Sequence, residues 1–306
     1  SYLKLLKLFN RERFAVIEVS GLFPQILTRL VGILSKSSII YGIHRSYALE
    51  QHNSIKFRFW RFLLKLDKGA IFYCISSAVK SSWISFSGIH EKRVHVLYNS
   101  INDIYFNSDI NSVKNKVQFS GKRLLFVGRL LRSKGFFDVY EVFKILHKEL
   151  SDLKLIIIGQ EDDSEGTRNI SDLKRVKEEI SELNLHGSII FVGKSRNVID
   201  YMLNCDALVH PAYSEGFGLV LAEAMSVGLP IVTTNIGGIP EVVEGSPAKL
   251  LIPGDLEALK LAIREVLSLS RIDRRAVSLE YIKEAQKFNS ESRAVKFVEI
   301  LSPYIK

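Results

Sequence analysis

One stretch constrains this chain more than any other: residues 210–243, HPAYSEGFGLVLAEAMSVGLPIVTTNIGGIPEVV. An apolar strand of Ala207, Leu208 and Val209 runs into a loop holding Pro211, Ser214, Glu215, Gly216 and Gly218. An Ala- and Leu-bearing helix follows, then a second apolar strand over 231–234 and a Gly237-Gly238 turn. The order strand, glycine loop, helix, strand describes an open parallel sheet that holds a ligand at the carboxyl ends of its strands. Glycine lets backbone N–H groups approach that ligand, and a helix start favours an anion.

Glu215 is expected at or just before the helix start, and Glu223 about two turns inside it, at ~3.6 residues per turn. Ionised carboxylates accept hydrogen bonds and donate none, so two of them beside an anion-binding helix start suit a ligand that combines hydroxyls with phosphate. Sugar nucleotides have that composition. Taken singly, Glu223 also reads as an ordinary helix glutamate and the glycine loop as an ordinary turn; their combination is what narrows the chemistry.

That combination resembles the donor-binding signature of family 4 glycosyltransferases, retaining enzymes of the GT-B fold, in which two glutamates flank seven residues. The resemblance continues through Ala224, Met225, Gly228, Leu229, Pro230, Gly237, Gly238, Pro240 and Glu241, and extends over most of the chain after about residue 70. It implies an α/β protein with two Rossmann-like parallel-sheet domains facing a cleft. The acceptor-side domain is expected over 1–103 and the nucleotide-sugar domain over 104–290, with a final helix, 291–306, packed back on the first.

Composition sets outer bounds. The chain has 306 residues with 47% hydrophobic content, ample for two cores. The most apolar early segment, 16–34, contains Glu18, Pro24, Gln25 and Arg29, too polar for a spanning helix of ~20 residues, and no signal peptide is read. Cys74 and Cys205 each fall in or beside an expected buried strand, which suggests a reducing, cytoplasmic compartment. The net charge of +9 is uneven: up to Asp103 there are 15 Lys and Arg against 6 Asp and Glu, and the remainder carries 27 of each sign. An anionic membrane or a nucleic acid would attract such a surface. Nucleic-acid binding rests on that charge and its aromatics alone, and no nucleic-acid partner is expected.

Residues 1–9, SYLKLLKLF, read as a basic amphipathic helix, packed on its own domain or lying on a membrane. Strand, helix and strand follow over 14–19, 24–34 and 38–43. This resembles the middle of the family's first domain, without its opening strand and glycine loop, and a chain starting at Ser1 reads as a trimmed product or a shortened relative. His44 follows a strand, as does a family histidine near the donor's sugar and phosphates; Arg45 or His52 could fill that place instead. In 54–69, SIKFRFWRFLLKLDKG, cations alternate with Phe57, Phe59, Trp60 and Phe62. A core-facing helix, a membrane-boundary helix and a single-strand-binding surface all fit that mixture.

Strands are expected over 70–76 and 94–99, a polar connection over 104–120, and a strand over Arg123 to Val127. The loop after it, Gly128-Arg129-Leu130-Leu131-Arg132-Ser133-Lys134-Gly135, lacks the ending of a Walker A loop. It is similar to the family loop whose Arg129 and Lys134 counterparts bind the donor pyrophosphate, with Gly128 allowing close approach. Helices over 137–150 and 171–183 alternate with strands over 153–159 and 188–193. The acidic run Glu161, Asp162, Asp163 and Glu165 reads as a surface loop, without an EF-hand's spacing. Lys194 resembles a residue beside the nucleotide base.

The resemblance thus implies retaining transfer from a nucleoside-diphosphate sugar, a UDP-sugar foremost, to a hydroxyl of a glycan or lipid-linked glycan. No cofactor or metal is expected. Arg129, Lys134 and the helix start at Gly216 to Gly218 would neutralise the departing diphosphate, Glu215 would orient the sugar, and Glu223 would accept from the ribose. Ser214, Phe217 and Leu219 complete the binding loop, and His44 joins the catalytic set. Retention by covalent double displacement is one route; the resemblance implies front-face attack. A non-catalytic subunit that binds sugar nucleotide or positions a partner at the membrane is the alternative.

Overall fold

The structure is a computed structural model that describes residues 16–20, 38–44, 70–107, 121–162 and 164–304, with the single positions 4, 8, 11, 12, 14, 28, 58, 61, 62 and 64. Most of the expected helices over 1–9, 24–34 and 54–69, most of the polar connection, Asp163, and the alternatives Arg45 and His52 lie outside the described residues.

The chain divides into two compact units, 1–100 with 290–306, and 101–289. In the first, β1 (Val16–Ser20), β2 (Ser38–Ile43), β3 (Ile71–Cys74) and β4 (Val94–Val96) form one sheet in that order, every pair parallel. Parallel strands are covered on both faces, which accounts for the continuous apolar run of β3. Tyr41 stacks on Phe72 at 5.2 Å, and Phe72 packs on Trp83 of α1 (Ser77–Ser87). On the other face Ile40, Ile71, Tyr73 and Leu97 meet Ile300 and Leu301.

The second unit has six parallel strands in the order β10-β9-β8-β5-β6-β7. They are β5 (Arg123–Val127), β6 (Lys154–Ile158), β7 (Ile189–Gly193), β8 (Ala207–His210), β9 (Ile231–Thr234) and β10 (Lys249–Leu251). The helices between them are α2 (Phe136–Glu149), α3 (Thr167–Glu182), α4 (Val198–Asn204), α5 (Leu219–Ser226), α6 (Ile239–Val243) and α7 (Leu256–Ser268). Helices α8 (Arg271–Ala285) and α9 (Ser290–Leu301) close the chain, α9 within the first unit. In α2, Phe136, Val139, Tyr140, Val142, Phe143 and Leu146 are buried at helical spacing against β5 and β6 residues. Each such side chain contributes roughly 1.5–3 kcal/mol on leaving water.

The strand order reverses between β5 and β8. At such a switch point the loops leaving two neighbouring strands diverge and open a crevice at their carboxyl ends. The loops concerned are 128–135 and 211–218, which hold most of the sequence-nominated residues.

Candidate functional site

The two loops are stitched together by their backbones. Ser133 O accepts from the Tyr213 amide at 2.9 Å and from the Ser214 amide at 3.3 Å. Gly135 ends the short 3-10 turn Arg132–Lys134 with φ +74°, and a Cβ there would stand 2.1 Å from Pro211 O. Only glycine permits that approach, and it delivers Lys134 to the second loop. Lys134 Nζ lies 2.8 Å from Glu215 Oε2 and 3.5 Å from Ser214 O.

Glu215 is fixed on its other sides. Its Oε1 accepts from the Gly216 amide at 3.1 Å, and its carbonyl accepts from the Gly238 amide at 3.1 Å. Gly237, at φ +57°, brings its Cα so close that a Cβ would meet Glu215 O at 2.0 Å. Burial alone would raise the Glu215 carboxyl, but His210 and the Lys134 ammonium face it and hold it down at about 2. It is therefore an ionised acceptor at any ordinary pH.

Glu223 has different surroundings. It lies on α5, whose first residue is Leu219, because Gly218 caps the helix in a left-handed conformation. The glutamate is thus about one turn inside, not two: the glycine loop is longer and the helix starts later than the sequence suggested. Burial raises Glu223 to about 7, opposed by a hydrogen bond from the Tyr105 hydroxyl. Tyr105 closes the 3-10 turn Asp103–Tyr105, and carries no motif that could have nominated it.

Arg129 keeps other company. Its Nη1 pairs with Asp162 Oδ2 at 3.0 Å, and its side chain is half exposed. Asp162 follows β6, so both residues stand at the carboxyl edge of the same sheet. The Ser164 hydroxyl and amide, then Arg129, hold Asp162 at about 2. The acidic loop is structural as well as exposed: Glu165 accepts from the Arg132 amide at 2.9 Å and the Ser133 amide at 3.2 Å, and Asn169 Nδ2 donates to Leu130 O at 3.0 Å.

The remaining nominees occupy the same edge in different settings. Gly128 follows β5, Ser214 and Leu219 are exposed, and Phe217 is buried edge-on against Phe288 at 5.5 Å. Lys194 is exposed beyond β7, on a cavity of about 870 Å³ that Leu130, Gly159, Gln160, Lys177 and Phe191 also line. Among the described residues, no group of three His, Cys, Asp or Glu is placed to hold a metal ion.

His44 belongs to the first unit, where it follows β2. Its Nε2 lies 3.2 Å from Ser20 Oγ. Burial and then Arg293 lower its pKa, against Glu18, so the ring is neutral near pH 7. Tyr73 donates to Glu18 on the same face, and Arg293 is anchored by Tyr98 O at 2.6 Å.

Residues 107–287 match the family model described as glycosyl transferases group 1, and residues 1–103 match the one described as glycosyltransferase family 4. The chain belongs to the group 1 glycosyl transferases. This group 1 member is 25% identical over 283 residues to the capsular polysaccharide biosynthesis glycosyltransferase CapM of Staphylococcus aureus, an alignment covering 88% of the chain and 71% of CapM. It is 32% identical over 168 residues to the N-acetyl-alpha-D-glucosaminyl L-malate synthase of Bacillus anthracis, covering 54% of the chain and 42% of that relative. The Anabaena protein HepE, solved in complex with UDP, superposes with a TM-score of 0.84 at 20% identity, over 99% of this chain and 82% of HepE. HepE in complex with UDP-glucose gives 0.82 at the same identity, over 99% of this chain and 82% of that one. These superpositions show the fold: this glycosyl transferase carries two Rossmann-like parallel sheets, as the GT-B resemblance implied.

Proposed function

We propose that this glycosyltransferase moves a sugar from a nucleoside-diphosphate sugar, foremost a UDP-sugar, to a hydroxyl of a glycan or lipid-linked glycan, with retention of anomeric configuration. The observation that carries the reading is the Lys134–Glu215 pair, one ammonium and one permanently ionised carboxylate at 2.8 Å on the crevice edge of the second sheet. Lys134 and Arg129 neutralise the departing diphosphate, helped by the amides of Gly216 to Gly218, and Gly128 lets the backbone come close. Charge fixed in place before reaction is usually the largest catalytic contribution. Glu215 accepts from the donor sugar's hydroxyls and Glu223 from the ribose. Ser214, Phe217 and Leu219 shape the loop around them, and the base lies toward Lys194 and its cavity. These two cations do the work a metal would do, so the reaction is assigned no metal and no cofactor.

In front-face attack the bond from the anomeric carbon to the phosphate oxygen breaks, the acceptor oxygen bonds to that carbon on the same face, and its proton passes to the departing phosphate. His44, neutral and held by Ser20, is suited to a single hydrogen bond with a sugar hydroxyl. A polysaccharide-building role, such as that of a capsular or lipopolysaccharide enzyme, is supported by the names of CapM and of the Rhizobium meliloti lipopolysaccharide core mannosyltransferase LpsB, 36% identical over 87 residues. A reaction on the cytoplasmic side of a membrane is supported by the basic first third and the two buried free cysteines.

A panel of nucleotide sugars tests the reading by thermal shift, since a ligand that binds only the native state raises its stability. One or more UDP-sugars should raise the midpoint and then serve as donor to a glycan acceptor. A panel in which no nucleotide sugar shifts the midpoint or is consumed refutes it.

A further inference from the structure

His210 ends β8 with its side chain 2% exposed and its ring near that of Phe126, centroids 6.5 Å apart. Neither ring nitrogen has a hydrogen-bond partner among the described residues. Nε2 stops 3.6 Å from Glu215 Oε2, too long for a hydrogen bond, yet a buried donor left unmade is costly. The ring therefore stands next to the carboxylate, close enough to favour its charge but short of hydrogen-bond distance.

The oxygen it faces is the one Lys134 holds at 2.8 Å. On the transferase reading Lys134 has a second claimant, the diphosphate. An ammonium that turns to the phosphates leaves a mostly buried carboxylate without its counter-charge, and such a carboxylate would pick up a proton and lose its acceptor character. We propose that His210 is a positioning residue that takes over Glu215 Oε2 when Lys134 turns to the donor, keeping the carboxylate ionised and aimed at the sugar. The exchange rests on the transferase reading; the placement of His210 against Glu215 does not. Thr233 Oγ1 donates to His210 O at 2.8 Å and pins the strand end, so side-chain rotation closes the remaining gap.

The test uses the full chain and two substitutions. His210→Phe keeps an aromatic ring against Phe126 and has no donor, whereas His210→Gln keeps an N–H. In calorimetric titration with UDP and with GDP, His210→Phe should bind whichever nucleotide the wild type binds about ten-fold more weakly, the scale of one hydrogen bond to a charged group. His210→Gln should recover most of that loss, with the two variants unfolding at similar temperatures. Wild-type affinity in His210→Phe, or a Gln variant as weak as Phe, overturns the role and leaves His210 as packing.

A second readout needs neither variant to fold. In nitrogen NMR of labelled histidine, Glu215→Gln and added UDP or GDP should each move the His210 ring signals. Signals that ignore both overturn the placement. Failure of the transferase reading looks different: the ring would respond to Glu215→Gln while neither nucleotide bound, and that result overturns the exchange with Lys134.

Discussion

Lys134 and Arg129 leave the same loop in different company, and the difference predicts unequal consequences. Lys134 is about four-fifths buried and bonded to Glu215, whereas Arg129 reaches the partly exposed Asp162 carboxylate from a half-exposed position. Exposed pairs of the Arg129–Asp162 kind are worth little, so that arginine is released to a ligand at small cost. If both act on the diphosphate as single oxyanion donors act, each alanine substitution removes ~2–4 kcal/mol of transition-state stabilisation. Lys134→Ala should lie at the upper end, because the more buried ammonium also pairs with Glu215 at 2.8 Å, and kcat/KM with a turned-over donor measures both. Near-wild-type turnover in both variants would remove them from the chemistry. Glu223 gives a pH prediction. Its folded pKa, about 7, stands above the ordinary carboxyl value of 4.5. The unfolded chain therefore gives up the proton first, and stability from this group falls as pH rises from about 4.5 to 7. Glu223→Gln removes that slope, so its unfolding free energy should gain on the wild type between pH 4.5 and 7.5, by up to about 3 kcal/mol at one pKa unit per 1.36 kcal/mol. A difference that stays flat with pH would show that Glu223 is ionised throughout.

At the scale of elements, the sequence was most legible where apolar strands end on glycine. β8, β9 and the order of elements between them fell where expected because the periods change at Gly216, Gly218 and the Gly228-Leu229-Pro230 turn, with only the start of α5 later than expected. Helix α3, expected over 171–183, begins at Thr167, directly after Gly166, and its first turns place the buried Asn169 against Leu130 O. Helix α8 gave little periodic signal, since among its 15 residues only Tyr281 and Ala285 are buried, and β10 is three residues at a sheet edge. The pairing of Tyr105 with Glu223 joins distant positions that no local pattern connects, and so does that of Glu165 with the Arg132 amide. The Gly237 turn shows how far an element boundary can govern the site. A side chain at Gly237 must adopt a left-handed conformation, costing roughly 1–2 kcal/mol, and would also displace the Glu215 carbonyl. Gly237→Ala should lower the unfolding free energy measured in urea by at least that much and weaken donor binding together with it. A variant of unchanged stability would mean that the turn relaxes freely.

At the scale of the molecule, charge and topology divide differently. Both units are parallel sheets, but the excess of positive charge belongs wholly to the first third of the chain. On the proposed reading, a unit that receives a lipid-linked acceptor would gain from such a field. No helix among the described residues is long and apolar enough to cross a membrane. Phe62 is 58% exposed, as an aromatic ring at a headgroup boundary would be, while the guanidinium of neighbouring Arg61 lies over the Phe86 ring at 5.6 Å. Basic residues near an anionic surface contribute ≈ 1 kcal/mol each, and the attraction fades beyond a Debye length of ≈ 8 Å at physiological salt. The protein should therefore float with vesicles that contain anionic lipid, should stay behind with purely zwitterionic ones, and should be released by raised salt. Equal failure to float with both compositions would leave the basic first third without a membrane role, and flotation indifferent to lipid charge would assign the attachment to its exposed apolar side chains instead.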